Sequence, residues 1–442
     1  MSSEAKDLSL MQQEVQDLEQ LNKAPLFKRW KGYTKYTGPA FLEAATTLGA
    51  GSFASCAAMG AAYGYKMLWI PFYSYLLGMF MLTLGIRFAV HSKVDIITAQ
   101  NTHQSKLVGS VVTGVIGSCL GYWTFTFGQY ALGTDALQNM AALASISFPR
   151  SINWILIFAL SFPFAWMYGK NDKAVRFVEN VTKVLIALML VLFGAVLFVT
   201  GVDWSSLFRG LLVPTLPSGI EGISTGIAAL ISVVAVGDWL QHHYAMRQRG
   251  FTPAHEKLAH FDLVVGGLIP VTLVLTFVGI AFAETFAGGS FPDDTYAMSN
   301  ALVSAIPHPL IQVGFYLGIL AIVVSTMIGM STIAAQSLCY ALGKPADPNS
   351  KTWKIGLLLT QVGLLGAYIG KPMWAVIFVA GLQSVFSWVS GSSWFLLSND
   401  RRFLGKHVTK NYLFNLGVLV SVVLLNITFV TFVLTKLGVR AY

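Results

Sequence analysis

The chain has 442 residues, of which 55% are hydrophobic and only 11% charged, and it carries a net charge of +9. A soluble domain holds roughly 25% charged residues, so this balance excludes an ordinary soluble protein and points to an all-α integral membrane protein. Its three cysteines, Cys56, Cys119 and Cys339, are scattered through apolar stretches, which excludes a disulfide framework or a metal knuckle.

Residues 1–35 are too charged for a cleavable signal peptide and lack its apolar core. They read as a cytoplasmic tail, with Leu8, Met11, Val15 and Leu18 spaced along one face of a short amphipathic helix. Eleven apolar runs of membrane-spanning length follow, near residues 38–58, 67–86, 108–132, 152–169, 180–201, 222–244, 261–283, 309–340, 354–370, 374–398 and 411–436. With the amino terminus inside, every Lys and Arg except Lys66, Arg150, Arg209, Lys371, Lys436 and Arg440 falls on the cytoplasmic side. This asymmetry satisfies the positive-inside rule and puts the carboxyl terminus outside. Topology therefore accounts for the basic charge, and no nucleic-acid partner is needed. The expected setting is the plasma membrane, the inner membrane in a bacterium, with the protein acting as a monomer whose partners are the bilayer and a small solute.

The first run is interrupted in its middle by Leu48-Gly49-Ala50-Gly51-Ser52. Each interior glycine costs a helix about 1 kcal/mol relative to alanine, so this spacing predicts a helix that stops and restarts. Irregular backbone persists at membrane depth only where it is buried in protein or lines a cavity, and broken helices mark the binding sites of transporters. The odd number of spans suits two five-helix repeats of inverted topology plus one extra helix. The boundaries would be 36–203 for the first repeat, 204–400 for the second, and 401–442 for a cytoplasmic loop and the eleventh helix. The sixth span should then be broken as well, and Ala235, Gly237 and Asp238 stand near its middle, one turn before His242.

Several segments resemble the Nramp divalent-metal transporters, which have the LeuT-type fold. Gly38-Pro39-Ala40-Phe41-Leu42 is similar to that family's GPGFL opening, and Tyr63-Gly64-Tyr65 to Trp69 to its YGYxLLW segment. Leu211-Leu212-Val213-Pro214 to Pro217 resembles LLVPxLP, and Ser398-Asn399-Asp400-Arg401-Arg402 stands where the family has TSDR. The resemblance implies a secondary transporter working by alternating access, with discontinuous helices one and six, no cofactor and no enzymatic activity. The family's metal ligands, however, are replaced. Its Asp-Pro-Gly-Asn becomes Gly49, Ala50, Gly51 and Ser52, and its Met-Pro-His becomes Ala235, Val236 and Gly237. Phe127 and Tyr130 stand at the acidic positions of span three, and Phe386 at a glutamine of span ten.

A transition-metal ion stripped of water needs anionic, imidazole or thioether ligands, which these positions lack. Amides at a restarting helix favour an anion, and Phe127, Tyr130 and Phe386 would suit an apolar or planar part. Aromatic residues of this kind also pack routinely between helices. The favoured expectation is a small organic solute bearing a carboxylate. The alternative is a divalent cation, hydrated magnesium before manganese or iron, since magnesium keeps its waters and needs only one or two carboxylates such as Asp238. Ser325 and Thr326 look like the hydroxyl pair of a sodium site in LeuT-type carriers, although such hydroxyls also bond back to their own helix. Sodium is thus the expected coupling ion, with protons as the alternative. Glu43 and His242, ionisable and within spans, are candidates for gating or proton movement, and a structural hydrogen-bonding role is open to His242. A metalloenzyme site built from Asp238, His242, His243, His255, His260 and Asp262 is the competing class.

Overall fold

The computed structural model describes residues 3–92, 94–200, 202–215, 236–286, 294–305 and 309–436. All regular structure among these residues is helical. Six stretches are long and apolar enough to cross a membrane, namely Trp69–His91, Leu107–Leu143, Arg150–Met167, Asp172–Ala195, Pro253–Phe286 and Ile311–Ala341. Each of the other expected windows also holds helix, though the sixth is described only from Val236 onward. Ile311–Ala341 is the most deeply buried of the six and forms the centre of the bundle.

The first membrane segment is two helices, Pro39–Thr47 and Ala50–Tyr63, meeting at Leu48 and Gly49. Pro39 opens the first half at a position where its missing N–H costs nothing. The second half packs along Ile269–Phe286, with Gly60 at the crossing. A Cβ on Gly60 would lie 2.1 Å from the Gly279 carbonyl oxygen, so the two backbones touch there as small-residue helix pairs in membranes do. Span three enters as a π-helix over Leu107–Leu120 and continues as an α-helix over Gly121–Leu143. Its face at Thr126 and Phe127 lies against Gly363 and Gly366 of span nine, again with no room for a side chain on either glycine.

The amino-terminal segment folds under the bundle. Helix Ser3–Leu21 buries Leu18 and Glu14 and leaves Val15 half-buried, while the side chains of Leu8 and Met11 lie outside the described residues. Glu14 pairs with Arg176 and, at 3.2 Å, with Arg249. Arg249 is buried and also meets Glu179 at 3.3 Å. Beside this group the Asp262 carboxylate accepts hydrogen bonds from the backbone N–H of Gly38 at 3.1 Å and of Ala40 at 2.9 Å. Asp262 therefore caps the helix Pro39–Thr47, placing negative charge at the positive end of its dipole. The free cysteines are all buried.

Overpacking a close crossing costs about 1–3 kcal/mol. Gly60→Val is accordingly expected to lower the melting temperature of the detergent-purified protein by several degrees, whereas Gly370→Ala, with open space around it, should leave it unchanged. Equal melting of both variants would contradict the crossing described.

Candidate functional site

Helix Pro39–Thr47 stops because Leu48 leaves helical geometry at ψ 21° and Gly49 is extended at φ −64° and ψ 171°. The chain restarts at Ala50 without a side-chain cap, so the first amides of the second half lack the usual Ser or Asp partner. Two hydroxyls from different directions take up carbonyls of the first half. Ser52 donates to the Thr47 carbonyl across the break, and Thr326 of helix Pro309–Ala341 donates to the Ala45 carbonyl at 3.0 Å. Gly329, one turn on, brings that helix so close that a Cβ there would be 2.0 Å from the Thr46 hydroxyl.

Span three contributes a residue that the family alignment passes over. Gln129 is fully buried, and neither its amide nitrogen nor its amide oxygen has a hydrogen-bond partner. Its Nε2 lies 3.5 Å from where a Gly49 Cβ would stand. A buried amide without partners is costly, and this one faces the break. Gln241, on helix Val236–Gln248, is likewise fully buried with both amide atoms unpaired. The signal available in the sequence was the amide itself, an uncommon group inside an apolar span.

The expected site residues divide as follows. Of the expected break residues only Gly49 leaves the helix, while Ala50, Gly51 and Ser52 form the first turn of the second half, and all four are buried. Phe127 and Tyr130 turn toward span nine instead. The Tyr130 hydroxyl donates to Gln361 Oε1 at 2.7 Å, and the Phe127 backbone rests on Gly366. Gly237 and Asp238 fall in the first turn of helix Val236–Gln248. The Asp238 side chain, all of Ala235 and the Phe386 side chain lie outside the described residues. Ser325 bonds back to the Ile322 carbonyl at 3.1 Å, the local role, while Thr326 alone reaches the break. Among the described residues Glu43 meets no basic group; it accepts from the Thr47 hydroxyl at 2.8 Å and the Tyr75 hydroxyl at 2.5 Å. His242 is fully buried, and neighbouring His243 bonds the Gly85 carbonyl at 3.2 Å.

The imagined metalloenzyme cluster does not assemble. Asp262 caps the first membrane helix, His260 bonds the Glu256 carbonyl at 2.8 Å, and His255 stacks on Phe251. Among the described residues no three His, Cys, Asp or Glu side chains come together as metal ligands. Among the described residues, the groups at the break are carbonyls, the Ser52 and Thr326 hydroxyls and the Gln129 amide, with the Glu43 carboxyl one turn back on the Thr47 hydroxyl.

Residues 40–434 match the family described as natural resistance-associated macrophage protein-like, Nramp. The chain belongs to the Nramp family. It is 24% identical over 307 residues to the metal transporter nramp1 homolog of Dictyostelium discoideum, covering 61% of this chain and 53% of that one. Against the divalent metal cation transporter MntH of Bacillus subtilis the identity is 20%, over 64% and 67% of the two chains. The match thus spans about half the length of the Dictyostelium relative. The fold is shared with a manganese transporter of Eremococcus coleocola, at TM-score 0.75 and 14% identity over 95% of this chain and 90% of that one. The nucleobase-cation symporter Mhp1 follows the same fold at TM-score 0.58, with 14% identity over 90% and 89% of the chains. The LeuT-type architecture expected for an Nramp relative is therefore present.

Removing an unsatisfied buried polar group stabilises a protein by about 1–3 kcal/mol. Gln129→Met, similar in volume and apolar, is expected to raise the melting temperature of the ligand-free protein. A lower melting temperature would mean that Gln129 already has the partners it needs.

Proposed function

We propose that this Nramp protein is a secondary transporter, not an enzyme, that carries a divalent cation retaining part of its water shell across the membrane by alternating access around the break at Leu48 and Gly49. The observation that carries the reading is the unpaired Gln129 amide, fully buried and aimed at a broken helix whose carbonyl end it faces. Carbonyls at the end of a half-helix attract cations, and a half-turn of the Gln129 amide, which exchanges the Nε2 now nearest Gly49 for Oε1, would add another neutral oxygen. The family match supports a cation as cargo, since the named relatives are metal transporters. The carboxylate-bearing organic solute expected from the sequence has no such support.

Neutral oxygens around the break suit magnesium better than manganese or iron. Magnesium gives up its waters reluctantly and is commonly held through them, with few direct protein ligands. Softer transition metals gain most from thioether and imidazole groups, and the family's methionine position is Ala235 here. Asp238 would supply the one carboxylate. Thr326 and the Ala45 carbonyl, two oxygens side by side from separate helices, support a sodium position for coupling. The eleven-span arrangement, with the amino terminus in the cytoplasm and the carboxyl terminus outside, belongs to the same proposal.

Proteoliposomes loaded with a magnesium-sensitive dye test it. Magnesium uptake is expected to exceed manganese uptake, and Gln129→Ala should lower it about tenfold, as loss of one buried polar contact implies. Removal of external sodium should slow uptake in the parent protein and have no further effect in Thr326→Val. Uptake of small carboxylates with none of either cation would overturn the cation reading. Magnesium uptake indifferent to Gln129→Ala would remove the amide from the site.

A further inference from the structure

A second site lies at the face of the bundle that carries the amino-terminal helices. Helix Leu26–Tyr33, reading LFKRWKGY, follows Pro25 and exposes Leu26, Phe27 and Trp30. Phe27 is 81% exposed, which is unfavourable in water for so large an apolar side chain on a helix also bearing Lys28, Arg29 and Lys31. Such a helix suits the boundary between headgroups and acyl chains, where tryptophan is also enriched.

Between this helix and the start of span seven is a cavity of about 600 Å³. Its basic lining comes from Arg29, Lys257 and His260, and its apolar lining includes Phe261, Val264 and Ile269. No acidic residue lines it. The order along the chain sets a polarity gradient. Lys257 and His260 sit at the beginning of the helical run, and Val264 and Ile269 are further along it, both exposed. Lys257 and Ile269 are about three helical turns apart, across a π-helical stretch at Leu263–Leu268. A groove basic at the interface and apolar toward the bilayer has the polarity of a phospholipid. Neither Arg29 nor Lys257 forms an ion pair among the described residues, whereas Arg176 and Arg249 nearby are both paired with carboxylates. Trp30 and Tyr33 stack loosely on Phe261, at 6.2 and 5.5 Å between ring centres, and so fix the short helix against the groove.

We infer that this groove binds an anionic phospholipid, with its phosphate between Arg29 and Lys257 and an acyl chain along Phe261, Val264 and Ile269. The lipid would supply the carboxylate-like partner that both cations lack and would cover the apolar surface that the protein leaves open. The site is separate from the break and does not depend on what the transporter carries.

Native mass spectrometry of the full-length protein in detergent tests the inference, with phosphatidylglycerol, phosphatidylcholine of the same chains, and inorganic phosphate added separately. Retention of phosphatidylglycerol about tenfold above phosphatidylcholine is expected, as two basic contacts to an anionic headgroup imply, with no retention of phosphate. Arg29→Gln with Lys257→Gln should remove the preference, and Lys406→Gln with Lys410→Gln, an equal loss of charge elsewhere, should keep it. A melting curve confirms that each variant is folded, and Arg29→Lys with Lys257→Arg, which retains both charges, should bind as the parent does. Equal retention of both lipids, retention of phosphate alone, or the same loss in both neutralised variants would overturn the assignment.

Discussion

Everything near the middle of this molecule depends on one constraint, that backbone groups freed at membrane depth must be satisfied by protein. The break at Leu48 and Gly49 frees carbonyls at the end of Pro39–Thr47 and amides at the start of Ala50–Tyr63. An unpaired group of this kind costs several kcal/mol in an apolar medium. The Ser52 and Thr326 hydroxyls each take one carbonyl, and the second of these bonds requires span eight to lie against the break. That closeness in turn explains Gly329, where any side chain would collide with Thr46. The centrality of span eight thus follows from the break.

The first half-helix has only nine residues, too few to be stable in isolation. Its structure must come from what holds its ends. At the start, Asp262 accepts the amides of Gly38 and Ala40 and complements the helix dipole. At the finish stand Thr326 and Ser52. Between them, the Glu43 carboxylate is taken up by the Thr47 and Tyr75 hydroxyls, so a buried acid is satisfied without a basic partner. The same face is closed by the group Glu14, Arg176, Glu179 and Arg249. Breaking such a buried pair by removing one partner leaves an uncompensated charge, which is far costlier than the pair's net contribution.

Much of this was legible in the sequence. The glycine-rich stretch at 49–51 located the break to within two residues because glycine is costly in a helix interior, and the apolar runs located the six described helices long enough to cross a bilayer because its thickness fixes their length. The facing of span three was not legible. Successive helical residues rotate by about 100°, so Gln129 and Tyr130, adjacent in the chain, serve different neighbours. Tyr130 bonds span nine, and Gln129 lies beside the break. Aligning Phe127 and Tyr130 with acidic positions of the family identified which charges were lost. It gave no account of what had taken over the surface facing the break, because that depends on helix rotation and on the close approach at Gly363 and Gly366. The partners of Glu43 were hidden for a similar reason, since Tyr75 is brought to it only by packing between separate spans.

On the proposed reading, a cation site built mostly of neutral oxygens has a physical logic. Anionic ligands close to a bare cation bind it strongly and, by the same interaction, resist its release. Carbonyl, hydroxyl and amide oxygens interact less strongly and can contact the outer face of a hydration shell, so most of the cost of dehydration is never incurred. Discrimination then rests on the size and shape of the hydrated ion, for which a geometrically fixed amide is better suited than a flexible charged chain. Gln129 has its backbone so fixed, buried on a long helix that packs tightly on Gly363 and Gly366 of span nine, while its unpaired amide is free to turn toward a ligand. On the proposed reading, the absence of the family's Asp and Asn at the first break and the unpaired amide beside it are parts of a single change. On that reading the fold keeps its mechanism of movement while the ligands at its centre pass from largely charged and soft to largely neutral and hard, with Asp238 the one carboxylate.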